Sequence, residues 1–254
     1  MQRKTLTLAL GLLVAGAVAG DAGAVKLRAG DLLITAHGGF TPRVLPRDHD
    51  APITLHGGGR ISTISGQLPP ILETISLEYD RHGSVERRGL PVCTAGELQT
   101  TTVATARRIC RGSIVGRGRG RAIVKFPGQA QFPISSPITL FNGPRKHGND
   151  TVIAHAYTTV PVATAFVVPI EIKRIHKGVY GYRTDTRIPE IADGYGVPVA
   201  GSLKIGRKWT YRGERLSFVN ARCANGRLQA QGRFEFDDGT RLVGTFLRFC
   251  GVRS

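Results

Sequence analysis

Polar and apolar residues alternate with a period of two along much of the chain, and no long segment carries the three-to-four spacing of an amphipathic helix. In Glu73–Tyr79, Ile75, Leu77 and Tyr79 fall on one face and Thr74, Ser76 and Glu78 on the other, the pattern of a half-buried strand. Arg227–Phe236 repeats it, with Leu228, Ala230, Gly232, Phe234 and Phe236 opposed to Arg227, Gln229, Gln231, Arg233 and Glu235. Asp238-Gly239 then turns that strand into Leu242–Phe249, a strong hairpin signal. Asp80-Arg81-His82-Gly83 reads as another hairpin turn. Further strands are predicted at Leu32–Thr35, Ile53–Leu55, Arg121–Phe126, Thr151–Tyr157, Phe166–Ile172, Val179–Thr184, Trp209–Tyr211 and Leu216–Val219. One short helix is predicted over Val103–Ile109, capped by Thr101 or Thr102.

Many short strands with Gly and Pro turns predict an all-β fold, an antiparallel β-sandwich. Cys93-Thr94-Ala95-Gly96-Glu97-Leu98-Gln99 matches Cys223-Ala224-Asn225-Gly226-Arg227-Leu228-Gln229 at four of seven positions, and Ser76-Leu77 and Ser202-Leu203 precede them. This faint repeat predicts two related modules, 25–140 and 141–254, with the uncharged stretch Pro127–Pro137 as linker. Thr151–Ile170 contains no Asp, Glu, Lys or Arg, but His155, Tyr157, Pro161 and Pro169 make it two buried strands and a turn, not a membrane span.

Residues 1–24 read as a cleaved secretory signal. Arg3 and Lys4 precede an apolar stretch from Leu6 to Ala19, and Ala22-Gly23-Ala24 offers a cleavage site before Val25. The apolar stretch is shorter than the ~20 residues that span a bilayer as a helix, so no transmembrane span is expected after cleavage. The remaining chain is long enough to bury a sizeable core. Cys93, Cys110, Cys223 and Cys250 show no zinc-type spacing, and an even count in an exported chain favours disulfides. Proximity pairs Cys93 with Cys110 and Cys223 with Cys250.

The GDLLITAHGGF segment at Gly30, SLEYDRHG at Ser76, the two C-x-x-G-x-L-Q segments and FDDGT at Phe236 carry a resemblance. With the N-terminal signal, they resemble a group of exported β-rich proteins from GC-rich soil actinobacteria with no assigned activity. The resemblance implies no catalytic residue, cofactor or ligand.

The net charge of +17 becomes +16 once Arg3, Lys4 and Asp21 are removed with the signal, and Arg outnumbers Lys 27 to 8. One reading of that bias is a GC-rich genome, which favours Arg, Gly and Ala codons; the other is a polyanionic partner, and the two are compatible. Gly116-Arg117-Gly118-Arg119-Gly120-Arg121 is the most unusual local feature. Leading into a strand, it places Arg117, Arg119, Arg121 and Lys125 on one face, interrupted by Ile123. Such a ridge suits a repeating anion, because guanidinium pairs bidentately with phosphate or carboxylate. Outside the cell the expected partners are anionic cell-wall polymers or lipid headgroups, with no specific nucleic acid.

Other motifs are weaker. His56-Gly57-Gly58-Gly59 matches an oxyanion-hole segment of some esterases, but no G-x-S-x-G elbow accompanies it, so it reads as a glycine-rich loop. Asp48-His49-Asp50 alternates its side chains and reads as a solvated loop, not a metal site. The seven histidines show no H-x-H or H-E-x-x-H spacing, and His37 and His155 hold similar places in the two proposed repeats. Tyr180, Tyr182, Tyr195, Trp209 and Tyr211 are either a sugar-stacking platform or core. The expectation is a non-catalytic binding or structural protein of the cell envelope or extracellular space, with no cofactor and no metal. The alternative is a secreted hydrolase acting on a glycan, with Asp48, Asp50 and Glu78 as first candidates.

Overall fold

The structure, a computed structural model, describes residues 24–253. All of the expected signal segment except Ala24 lies outside the described residues. The chain is mostly β. Its elements begin with β1 (Val25–Ala29), β2 (Leu32–Thr41), β3 (Val44–Pro46), β4 (Ala51–Pro52), β5 (Thr54–Thr63), β6 (Leu72–Asp80) and β7 (Gly83–Val85). Two short helices follow, α1 (Ala95–Leu98) and α2 (Val103–Ile109), then β8 (Ile114–Val124), β9 (Phe132–Lys146), β10 (Asn149–Thr158), β11 (Thr164–Lys177) and β12 (Tyr180–Arg187). The chain ends with β13 (Gly196–Ile205), β14 (Lys208–Tyr211), β15 (Glu214–Ser217), β16 (Val219–Ala221), β17 (Arg227–Phe236), β18 (Arg241–Phe249) and β19 (Gly251–Arg253).

Twelve strands form one antiparallel sheet in the order β1-β2-β5-β13-β8-β9-β10-β11-β12-β6-β17-β18. The sheet curls until its two edges meet, so that Leu27 of β1 lies against Gly244 of β18 without ladder pairing between them. This nearly closed barrel hides both edges from unwanted strand addition. It is not a pair of sandwich modules. Residue 140, the expected boundary, sits in the middle of β9, and the expected linker runs into that strand from Phe132. Strands from either side of residue 140 alternate in the sheet, with β13 between β5 and β8 and β6 between β12 and β17. The faint repeat is also not structural. Leu98 closes a helix behind a Thr94–Glu97 capping box, while Leu228 sits in β17.

The alternation read from sequence sets which face is buried. Leu32, Ile34, Ala36 and Phe40 of β2 point inward, and the register places Ile34 opposite Ile61 and Phe40 opposite Leu55. Inside, one cluster joins Ile34, Ile61, Leu72, Phe236 and Leu242. Another joins Phe40, Val115, Leu140, Val152 and Leu228 to Phe218, Val219 and Ala221. Those last three come from the segment holding β16, which pairs with β4 and β7 in a small separate sheet. The Asp80–Gly83 turn feeds β7 into this sheet, so it does not form the hairpin expected of it. Asp238-Gly239 does make its hairpin, with Gly239 at φ +82 and β17 paired to β18.

A third cluster lies on the outer face of β9 and β10, where Phe141 and Ile153 meet Leu98 and Ala106 of the helices. The helix expected over Val103–Ile109 is present with Thr102 as its cap. β9 and β10 are thus covered on both faces at this point, which is why Thr151–Ile170 could lose every charge without becoming a membrane segment. Both expected disulfides form, Cys93–Cys110 and Cys223–Cys250. The first ties the end of α2 to the segment entering α1. Among the described residues no helix is long and apolar enough to cross a membrane.

Candidate anion-binding face

Charge is divided unevenly around the sheet. The six neighbouring strands β1, β2, β5, β13, β8 and β9 contain no Asp or Glu. The other six hold Glu73, Glu78, Asp80, Asp150, Glu171, Asp185 and Glu235. On that acidic side several cations are matched. Lys177 Nζ lies 3.0 Å from Glu78, Arg183 Nε donates to Asp185 at 2.7 Å, and Lys173 Nζ lies 3.5 Å from Asp185.

The acid-free side carries its cations on outward positions of the ladder. Arg117, Arg119 and Arg121 share the outer face of β8, as their period-two spacing predicted, and all three are exposed. Across β13 their partners are Lys204, Ser202 and Ala200, and across β5 these face His56, Gly58 and Arg60 in turn. On β2, His37 stands opposite Gly58, and Thr35 stands opposite Arg60 with Lys26 beyond it on β1. The result is a field of Lys26, Arg60, Arg117, Arg119, Arg121 and Lys204 with His37 and His56 among them. Among the described residues none of these six cations forms an ion pair; Arg119 donates only to Ser135 Oγ, at 3.2 Å. Lys125 is exposed but lies one residue past β8, beyond half-buried Ile123, and its amide donates to Tyr195 O. It sits at the end of the ridge, not within it.

Burial and neighbouring cations act in the same direction on two groups in this region. The His56 imidazole is held below its ordinary range, first by partial burial and then by Arg43, His37, Lys204 and Arg248 around it. Burial, and then Arg117, lowers the Arg107 guanidinium. Between β2, β5, β13 and β8 lies an open depression of about 380 Å³, bordered by His37, His56, Arg117, Ser202 and Lys204.

His56-Gly57-Gly58-Gly59 is therefore not a loop but the middle of β5. Its glycines allow close strand approach: a Cβ on Gly58 would stand 2.5 Å from the carbonyl oxygen of Gly201. The other sequence candidates do not converge. Asp48 pairs with His49 on an exposed loop, whereas Asp50 accepts from Ser84 and from Arg222 at 2.8 Å, so the triplet does not face one point. Glu78 is buried against Lys177 on another strand. His37 is exposed, but His155 is fully buried beneath the helices, its Nε2–H donating to Thr101 O at 3.0 Å. The two are not equivalent. The aromatics are dispersed: Tyr180 is buried and bonded to Gln229, Trp209 donates to Arg88 O at 2.9 Å, Tyr211 covers Gly89, and Tyr195 packs on Phe126. They do not form a common sugar platform.

His37, His56, Arg60 and Lys204 join the ridge only in three dimensions, because the sequence pattern marks no strand at β13 and ends the strand at Leu55, with His56–Gly59 as a loop. A signal was available. From Leu98 to Asn149, and again from Gly194 to Gly213, the sequence has no acidic residue. Compared with known proteins, the chain matches no family model, no curated protein and no solved structure.

Proposed function

We propose that the chain is an exported, non-catalytic binding protein that holds an anionic polymer of the cell envelope on the outer face of β1, β2, β5, β13, β8 and β9. The carrying observation is the absence of any carboxylate from those six strands while Arg60, Arg117, Arg119, Arg121 and Lys204 stand exposed, with no ion pair among the described residues. A merely solvated surface mixes signs, as the β11–β12–β6 side does, because like charges in register repel. Alternate residues on a strand are about 6.7 Å apart, so Arg117, Arg119 and Arg121 offer a periodic row to a linear polyanion. A polymer is favoured over lipid headgroups because that row is long and repeating.

The same residues argue against a barrel set in a bilayer. Arg or Lys on a lipid-facing strand costs about 2–4 kcal/mol near the midplane, and here they occupy the outer face while Leu, Ile and Phe fill the interior. Export is supported by the N-terminal signal pattern and by two disulfides of the kind oxidising compartments sustain.

The test is binding of the secreted chain to an immobilised phosphate-containing wall polymer, to anionic vesicles and to a neutral glycan. Salt-sensitive retention on the polymer, reduced in Arg119→Gln/Arg121→Gln, supports the reading. Salt-insensitive retention on the neutral glycan, or its turnover, contradicts it.

A further inference from the structure

One arrangement on this face is not required by the fold. His56, Lys204 and Arg117 are successive cross-strand partners, one each on β5, β13 and β8. Directly opposed side chains on adjacent strands have Cβ atoms about 4.5–5.5 Å apart, and like charges placed so are destabilising. Among the described residues no carboxylate pairs with them. His37 and Ser202 flank the row from the neighbouring register position, both opposite Gly58. Gly57, Gly118 and Leu203 complete the lining, and the two glycines contribute backbone alone, which leaves the depression open between these polar groups.

We propose that the depression bordered by His37, His56, Ser202, Lys204 and Arg117 is a seat for one phosphate group of the bound polymer. The inference rests on the reading of this face as an anion-binding surface and narrows it to a chemical class. A carboxylate presents two coplanar oxygens, which a single guanidinium fork satisfies. Donors on three strands plus a hydroxyl suit a tetrahedral oxyanion carrying up to two charges. Arg119 and Arg121, further along β8, then guide the chain as it leaves the seated group on one side. Arg43, His37, Lys204 and Arg248 are the charged and titratable groups facing His56. A seated anion offsets them, so the imidazole takes up a proton as the site fills.

The secreted chain is titrated calorimetrically at low ionic strength with inorganic phosphate, sulfate and acetate. Sulfate keeps its charge between pH 5 and 8, so its pH dependence reports the protein alone. Phosphate and sulfate are expected to bind at least tenfold more tightly than acetate, and sulfate several-fold more tightly at pH 5.5 than at 7.5. Lys204→Gln and Arg117→Gln each weaken sulfate binding about tenfold, the effect of one charge-assisted contact. His56→Gln reduces the pH dependence, and His37→Gln/His56→Gln removes it. Arg121→Gln weakens the polymer and leaves sulfate unchanged. Equal binding of acetate, or no effect of Lys204→Gln, overturns the seat. Polymer binding without sulfate binding overturns the seat and leaves the face standing. Failure of both overturns both.

Discussion

Lys204 on β13 stands directly opposite Arg117 on β8, two cations in register that, among the described residues, pair with no carboxylate. Opposed like charges are worth a few tenths of a kcal/mol to about 1 kcal/mol against the sheet. Lys204→Glu is therefore expected to stabilise the empty protein by roughly 0.5 kcal/mol, read as a higher denaturant midpoint. The same change is expected to abolish selective retention on the anionic polymer. Stability and binding moving in opposite directions is the mark of a surface kept for a partner. A Lys204→Glu protein less stable than the parent contradicts the arrangement.

Two glycines of neighbouring strands separate packing from conformation. On Gly118 a Cβ would collide with the carbonyl oxygen of Ser202, whereas on Gly201 it meets nothing within 4 Å. Gly118→Ala is expected to cost about 1–3 kcal/mol, in the range of overpacked sites. Gly201→Ala is expected to be neutral or slightly stabilising, because it restricts the unfolded chain. Chemical denaturation of both variants checks the contrast, and equal effects would mean that β8 and β13 are not as close as described.

How much was legible in the sequence divides along physical lines. The strands whose faces differ sharply, such as β6 and β17, declared themselves by alternation, and α2 by its Thr102 cap. The disulfides followed from proximity. β13 was missed because Gly196–Ile205 contains one charge and no clear alternation, and β9 because prolines at its start resemble a linker. The two-module reading failed because local similarity carries no information on long-range pairing. Cys93 and Cys223 begin similar heptapeptides, yet a capping box folds one into a helix while ladder partners extend the other. The arginine ridge was visible, but its lateral extension through Lys204 to His56 needed the strand order.

The Cys93–Cys110 disulfide, with a sequence separation of 17, holds α1 and α2 over the outer face of β9 and β10. Replacing both cysteines by serine is expected to lower stability by about 3 kcal/mol in the loop-entropy account. Amide exchange should rise first at Ala106 and Cys110, whose amides bond within α2. Exchange rising uniformly through the barrel instead would show that the cap is not a local unit.

Burial holds the imidazole of His155 below its ordinary range despite the Thr101 carbonyl, and His56 is lowered as well. For a histidine lowered in the folded state, the unfolded chain binds more protons below about pH 6.5. Stability therefore rises with pH through that region and falls on acidification from pH 7 towards 5. His155→Gln keeps a donor towards Thr101 and removes the ionisable group, so it should flatten that fall. An unchanged pH profile of the denaturant midpoint would assign the dependence elsewhere.

The central claim is that Arg117, Arg119, Arg121 and Lys204 bind a polyanion by displacing its counterions. The direct measurement is the slope of log affinity against log salt for a linear polyphosphate. Each phosphate neutralised on a single-stranded polyanion contributes a slope of about −0.7. The parent should show a steep negative slope, and Arg117→Gln/Arg119→Gln/Arg121→Gln a slope shallower by about 2. Identical slopes for parent and variant, or affinity indifferent to salt, would contradict the assignment of this face.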